Sequence, residues 1–247
     1  MTGGIVGALR KTAEPFFTIH RLIFHYPKLV LSDDDYDTYW RRRRQKGQSM
    51  GTINSFQKHR AGWVLPRIED GASILDIGSG DGGVLLYLMA SKPLKPTATD
   101  VSPMAIEFLQ SKGIHTLRFD FARPEAVEEL PRVDHVILFE VLEHMQNPEK
   151  FLRLMESKAR KSIFFSVPNT GYIPYRVRML LGSFVMQWRA HPGEHVRFWT
   201  FQDLKWWLRE LGYESRTEIH VYEGIPVLNK IWRGLFGMAF VGEIRCG

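Results

Sequence analysis

The middle of the chain carries the clearest alternation of apolar and polar positions. Ser73–Ile77 is a short apolar run that ends in glycines, and Val84–Ala90 follows it with Leu85, Leu88 and Met89 at helical spacing. Pro96–Asp100 reads as a second strand. Ser102 and Pro103 then supply an N-cap and a first helical residue, and the helix continues from Met104 to Lys112. Thr116–Phe119, ending at Asp120, reads as a third strand and Val133–Phe139 as a fourth. A helix from about Pro148 to Lys158 follows, and Lys161–Val167 reads as a fifth strand. This alternation predicts an α/β fold, a doubly wound and mostly parallel sheet with helices on both faces and right-handed crossovers. Ligands of such sheets bind beyond the C-terminal strand ends, where Asp76, Gly78, Asp100, Asp120 and Glu140 fall.

The flanking zones, 1–70 and 171–247, are mixed, aromatic and basic. HVRFWTFQDLKWWLRELGY reads as a strand, an N-cap at Thr200, then a helix closed by Gly212. Trp206 and Trp207 on that helix read as packing residues. The C-terminal VLNKIWRGLFGMAFVGEIR is expected to hold the last strands, with its apolar residues in the core. PFFTIHRLIFHYPKLVL near the N-terminus has four readings: packing on its own domain, a membrane surface, a dimer contact, or closure over a bound molecule. No internal repeat or low-complexity linker appears.

Composition narrows the picture. With 247 residues and 44% hydrophobic content, the chain can build one α/β domain plus an insertion. The single cysteine, Cys246, permits no internal disulfide, so a reducing, cytoplasmic setting is expected. No apolar run reaches the roughly 20 residues of a membrane span, and the N-terminus lacks the order of a signal peptide. The formal charge is +6. It leans toward an anionic partner, although part of the excess lies in one run at 41–46, beside the acidic SDDDYD.

Candidate chemistry starts at the glycine loop. Gly78, Gly80 and Gly82 form G-x-G-x-G between a strand and a helix, and Asp100 ends the next strand. A carboxylate placed there accepts ribose hydroxyls. Gly83 also completes G-x-G-x-x-G from Gly78 and Gly80, so spacing alone leaves a dinucleotide open. Asp76, two positions before Gly78, favours a ligand bearing an ammonium or sulfonium over a pyrophosphate.

At these residues the chain resembles the class I S-adenosylmethionine-dependent methyltransferases. ILDIGSGDGG, TATDVSPMAIEFL, RFDF, VDHVILFEVLEHMQNPEKFL and IFFSVPN match that family's ordered motifs, over roughly residues 50–215. The resemblance implies a seven-stranded sheet and S-adenosylmethionine as cofactor, with S-adenosylhomocysteine as product. It implies that Gly78, Ser79 and Gly80, with Asp76 beside them, face the amino-acid end of the cofactor. Asp100 would bind the ribose, Val101 would pack on the adenine, and Asp120 would accept from its amino group with Phe121 alongside. Phe139 and Glu140 would lie near the methionine part, and Arg60 would meet its carboxylate. FEVLEH is similar to ubiquinone-pathway O-methyltransferases, whereas KSIFFSVPNTGYIPYRVRMLLGSF and the later HVRFW segment are similar to MetW-type proteins.

Glu140, Glu143 and His144 are the expected catalytic group. As residues they admit acceptor positioning, a general base, a divalent ion such as Mg²⁺, or mere capping of a helical turn; no metal is assigned. An acceptor-binding insert is expected at about 170–197, within a methyltransferase domain at 61–247 that follows an N-terminal lid segment at 1–60. Asn169, Tyr172, Tyr175, His191 and His195, with Arg176, Arg178 and Arg189, would form a basic, aromatic pocket. The resulting expectation is methyl transfer to a hydroxyl, or secondarily an amine, of a small-molecule, lipid-linked or glycan-type acceptor. The alternative is a non-catalytic MetW-like partner of a homoserine acyltransferase. The modest charge and the lack of a recognisable binding module argue against nucleic acid.

Overall fold

The computed structural model describes residues 19–26, 49–120, 124–187 and 194–247. Phe121, Arg189, His191, the basic run at 41–46 and most of the N-terminal segment lie outside the described residues.

Seven strands form one sheet: β1 (Ser73–Ile77), β2 (Lys95–Asp100), β3 (His115–Arg118), β4 (Val133–Phe139), β5 (Ala159–Pro168), β6 (Thr217–Gly224) and β7 (Gly237–Arg245). Their order is β3-β2-β1-β4-β5-β7-β6. β7 runs antiparallel to both neighbours and every other pairing is parallel. Helices α1 (Ser55–Val64), α2 (Gly83–Ser91), α3 (Pro103–Ser111), α4 (Pro148–Lys158) and α6 (Phe201–Glu210) cover the faces. Helix α5 (Ile173–Leu180) follows β5, and the single turns α7 (Leu228–Ile231) and α8 (Arg233–Phe236) join β6 to β7.

Successive strand residues face opposite layers. Leu75, Val136, Leu138, Ile163 and Phe165 pack on one side with Phe151 and Met155 of α4 and Leu204 and Trp207 of α6. Ile74, Ile137, Phe139 and Phe164 point to the other side, against Ala61 and Val64 of α1, Leu85 and Leu88 of α2 and Leu109 of α3. Helix starts are fixed by side chains. Asn54 forms a capping box with Gln57, Ser102 accepts from the Ala105 amide, Asn147 accepts from the Lys150 amide, and Thr200 forms a capping box with Asp203.

Two expectations are corrected. HVRFW is not a strand; it contributes one isolated bridge, Trp199 to Asn169. Its Val196 and Arg197 amides are consumed by the carbonyl of Glu143 and so cannot enter a ladder. Nor is the C-terminal apolar stretch all core. The β6–β7 ladder begins only at Gly237, opposite Gly224, and the residues before it carry Val227, Leu228, Ile231 and Trp232 exposed. Residue 60 lies inside α1, whose Ala61 and Val64 belong to the core, so the helix bridges the expected domain boundary.

Phe164, fully buried in β5, and Thr200, the half-exposed cap of α6, differ in their stabilising roles. In urea melts, Phe164→Ala is expected to cost about 3–5 kcal/mol through the cavity it leaves, and Thr200→Ala about 1 kcal/mol.

Candidate active site

The strand order reverses between β1 and β4, and the crevice beyond their C-terminal ends is the expected ligand position for this topology. The loop leaving β1 is shaped by backbone. Gly78, Gly80 and Gly82 have φ of 67°, 56° and 68°, the left-handed region that side chains disfavour. The Ser79 amide donates to the Thr99 carbonyl at 2.8 Å, and the Gly82 amide closes the turn on the Ser79 carbonyl at 3.0 Å. A Cβ at Gly82 would fall 2.2 Å from Leu109 Cδ2, so a side chain there would have to displace the tip of Leu109 from an already strained backbone.

Asp100, at the end of β2, braces this loop. Its Oδ2 accepts from the Gly80 amide at 2.8 Å and its Oδ1 from the Ser102 amide at 2.9 Å. A carboxylate offers about four acceptor positions, so these bonds orient it without exhausting it. Asp76 is buried beneath the loop, and burial pushes its carboxyl up to about 7, against the opposing pull of the Ser79 hydroxyl and the Arg60 charge.

Glu140 follows β4 with φ of 56°, one of two non-glycine residues in the left-handed region among the described residues. Ser166 holds it there: the Glu140 amide donates to Ser166 Oγ at 3.1 Å, and that hydroxyl donates back to Glu140 Oε1 at 2.8 Å. Tyr222 of β6 donates to the same oxygen at 3.2 Å, and Arg60 Nη1 lies 3.3 Å from it. Arg60 also donates to Ser166 Oγ, and its guanidinium sits 4.9 Å from the centroid of the Phe139 ring. Its Nε is buried with no acceptor among the described residues.

Glu143, in the single 3-10 turn Leu142–His144, is fully buried, and neither carboxylate oxygen meets a hydrogen-bond donor among the described residues. Burial first, and then the Glu140 charge, raise its carboxyl well above the usual carboxylate range. His144 Nδ1 donates to the Glu194 carbonyl at 2.6 Å, and the His195 ring meets it edge-on with centroids 4.7 Å apart. Potential ligand atoms of Glu143, His144 and His195 lie within 4.8 Å of one another. Glu140 is not in this group; its carboxylate is engaged by Ser166, Tyr222 and Arg60.

The insert is built differently from the expected basic pocket. Tyr172 and Tyr175 are buried and meet edge to face. Arg178 is fully buried and donates to the carbonyls of Ile23, His25 and Phe184, so it ties the segment at 19–26 to α5 and does not line a pocket. Asn169 is likewise buried. Its amide nitrogen donates to the Gly234 and Gly237 carbonyls and its oxygen accepts from the Gly171 amide. That leaves it a brace between β5 and α8, where the sequence suggests acceptor contact.

The family model described as a methyltransferase domain matches residues 29–218. The chain belongs to this methyltransferase family. A mitochondrial ubiquinone biosynthesis O-methyltransferase of Schizosaccharomyces pombe is 36% identical over 96 residues, which cover 36% of this chain and 35% of that protein. The chain thus matches about a third of that relative's length. A SAM-dependent methyltransferase from Archaeoglobus fulgidus shares the fold with a TM-score of 0.56 at 19% identity, covering 85% of this chain and all of that one. Magnesium protoporphyrin IX methyltransferase from Synechocystis, with bound SAH, gives 0.57 at 16% identity over 86% and 96%.

The methyltransferase's own residues fit the cofactor. The glycine loop is held in left-handed backbone, Asp100 stands at the end of β2, and a buried acid and an incompletely bonded guanidinium suit an amino-acid moiety. Val101 and Asp120 follow β2 and β3 on the same edge. Sequence reasoning assigned no role to Ser166, although it lies within IFFSVPN, or to Tyr222, whose approach depends on the β6 register. A metal fit is of a particular kind. One carboxylate and two imidazoles suit a borderline ion such as Zn²⁺ or Fe²⁺ better than Mg²⁺, which prefers oxygen.

Burying the Asp76 carboxylate opposes folding. Its folded value, about 7, lies above the ordinary 3.8, so the stability cost appears as pH rises through that window, at about 1.4 kcal/mol per unit. Asp76→Asn is therefore expected to raise the melting temperature more at pH 8 than at pH 5, while weakening S-adenosylhomocysteine binding measured by calorimetry at pH 8.

Proposed function

We propose that this methyltransferase moves the methyl group of S-adenosylmethionine to a hydroxyl of a small-molecule, lipid-linked or glycan-type acceptor. The observation that carries the reading is that the β1/β4 reversal brings the Asp100-braced glycine loop and the turn bearing Glu140 and His144 to the same end of the sheet. When bound, the cofactor supplies a methyl group on a sulfonium, open to in-line displacement. The chain's residues orient the reactants and handle the proton. Asp100 holds the ribose end, and Gly78, Ser79 and Gly80 admit the amino-acid end.

Glu140 is fixed by Ser166, Tyr222 and Arg60, so it serves as an anchored acceptor of hydrogen bonds. His144 is the general base. Its Nδ1 proton is committed to the Glu194 carbonyl, which makes Nε2 the basic nitrogen of the ring. The acceptor's hydroxyl proton passes to Nε2 as its oxygen takes the methyl group. The hydroxyl preference is supported by the O-methyltransferase relative.

The buried, donor-free Glu143 beside His144 and His195 favours a second reading, in which these three hold a transition metal that activates the acceptor oxygen. His144→Gln is expected to lower kcat by about 10²- to 10⁴-fold with S-adenosylhomocysteine affinity unchanged. Chelator treatment separates the readings. A general base leaves activity intact after chelation, whereas loss restored by Zn²⁺ or Fe²⁺, and abolished by His195→Ala, assigns His144 to a metal.

A further inference from the structure

Every exposed large apolar side chain among the described residues, Trp206 excepted, lies on one of four segments. These are residues 19–26, α5 with the turn after it, residues 194–199, and residues 225–236. Topology gathers them at one place. α5 leaves the C-terminal end of β5, and 225–236 leaves the C-terminal end of β6, which runs parallel to β5 because both oppose β7. Residues 194–199 are bonded to Glu143 after β4 and to Asn169–Thr170 after β5. Arg178 and the 2.5 Å Tyr26–Ser183 bond tie 19–26 to the same rim. A shared floor of Tyr172, Tyr175 and Val185, packed with Leu22, Ile173, Ile225 and Met238, joins three of the segments, and the Phe184–Phe198 ring contact ties 194–199 to them. The apolar rim therefore flanks the candidate active site on its β4–β5–β6 side.

Its exposure is large. Leu180 is 87% exposed, Ile231 76% and Trp232 62%, more than scattered surface residues require. Its charge is predominantly positive. Arg21, Arg176, Lys230 and Arg233 are exposed on these segments, and Glu194 is the one acid in them. Apolar residues and tryptophan interleaved with Lys and Arg are the composition of an interfacial docking face. A second copy of the chain fits less well, because a two-fold contact would set this cationic rim against itself. No described helix is long and apolar enough to cross a membrane, so the contact is with a surface.

We infer that this rim, centred on Ile231 and Trp232 with Lys230 and Arg233, docks the methyltransferase on an anionic lipid bilayer. Docking turns the active-site mouth toward the lipid, which suits a lipid-borne acceptor; that consequence rests on the methyl-transfer reading, while the docking itself does not. The test is co-sedimentation of the full chain with vesicles of phosphatidylcholine alone and of equal parts phosphatidylcholine and phosphatidylglycerol. Wild-type protein is expected to pellet with the anionic vesicles. Ile231→Asp with Trp232→Asp should weaken that binding at least about tenfold, and Lys230→Glu with Arg233→Glu should remove the anionic preference. Trp206→Asp, away from the rim, should leave binding unchanged. Melting temperature and S-adenosylhomocysteine affinity should be unchanged in all variants. Absence of wild-type binding, or binding that survives Ile231→Asp with Trp232→Asp, overturns the inference. So does a dimer on gel filtration that those two substitutions dissociate, since a second copy would then cover the rim.

Discussion

The parallel pairing of β1 with β4 is the constraint on which the site depends. It sets Asp76 opposite Ile137 and sends the loop after β1 and the turn after β4 into one crevice. Everything polar at that edge must then be satisfied without a strand alongside. The glycine loop manages it with backbone bonds to Thr99 and Asp100. The turn after β4 manages it through Ser166, one hydroxyl that accepts from Glu140 and Arg60 and donates to the Glu140 carboxylate. The left-handed backbone at Glu140 persists because these bonds over-determine it.

Four of the acids at this edge are accommodated in different ways. Asp100 is held by two amides and Glu140 by a hydroxyl, a phenol and a guanidinium. Asp76 and Glu143 are buried without comparable donors, and their carboxyls titrate above the ordinary range. Such an arrangement opposes folding, and functional sites are where proteins retain it. It also assigns different tasks to neighbouring carboxyls through their surroundings, with Glu140 anchored and charge-paired and Glu143 favouring its neutral form.

Much of the frame was legible from residues alone. β4 and α4 run Val133–Phe139 and Pro148–Lys158, as apolar runs and an Asn-Pro start predict. The strand-end position of Asp100 and Glu140 follows from the same alternation. What escaped was long-range. Tyr222 reaches Glu140 only through the antiparallel β6–β7–β5 pairing, and His195 meets His144 across 51 positions because the Glu143 carbonyl captures the Val196 and Arg197 amides that follow it. Arg178 reads as an anion ligand by charge, yet it satisfies carbonyls of a distant segment. Ile231 and Trp232 read as core by composition, since apolarity in a sequence does not say whether another element will cover it.

The central claim is that the Asp100-braced loop is the cofactor site. Titration of S-adenosylhomocysteine into the full chain, followed by calorimetry, tests it most directly when wild type and Asp100→Asn are compared. The account predicts wild-type binding in about the micromolar range and a loss of at least about tenfold in the variant. Equal affinity in the two proteins, or no binding by wild type at millimolar ligand, would contradict it.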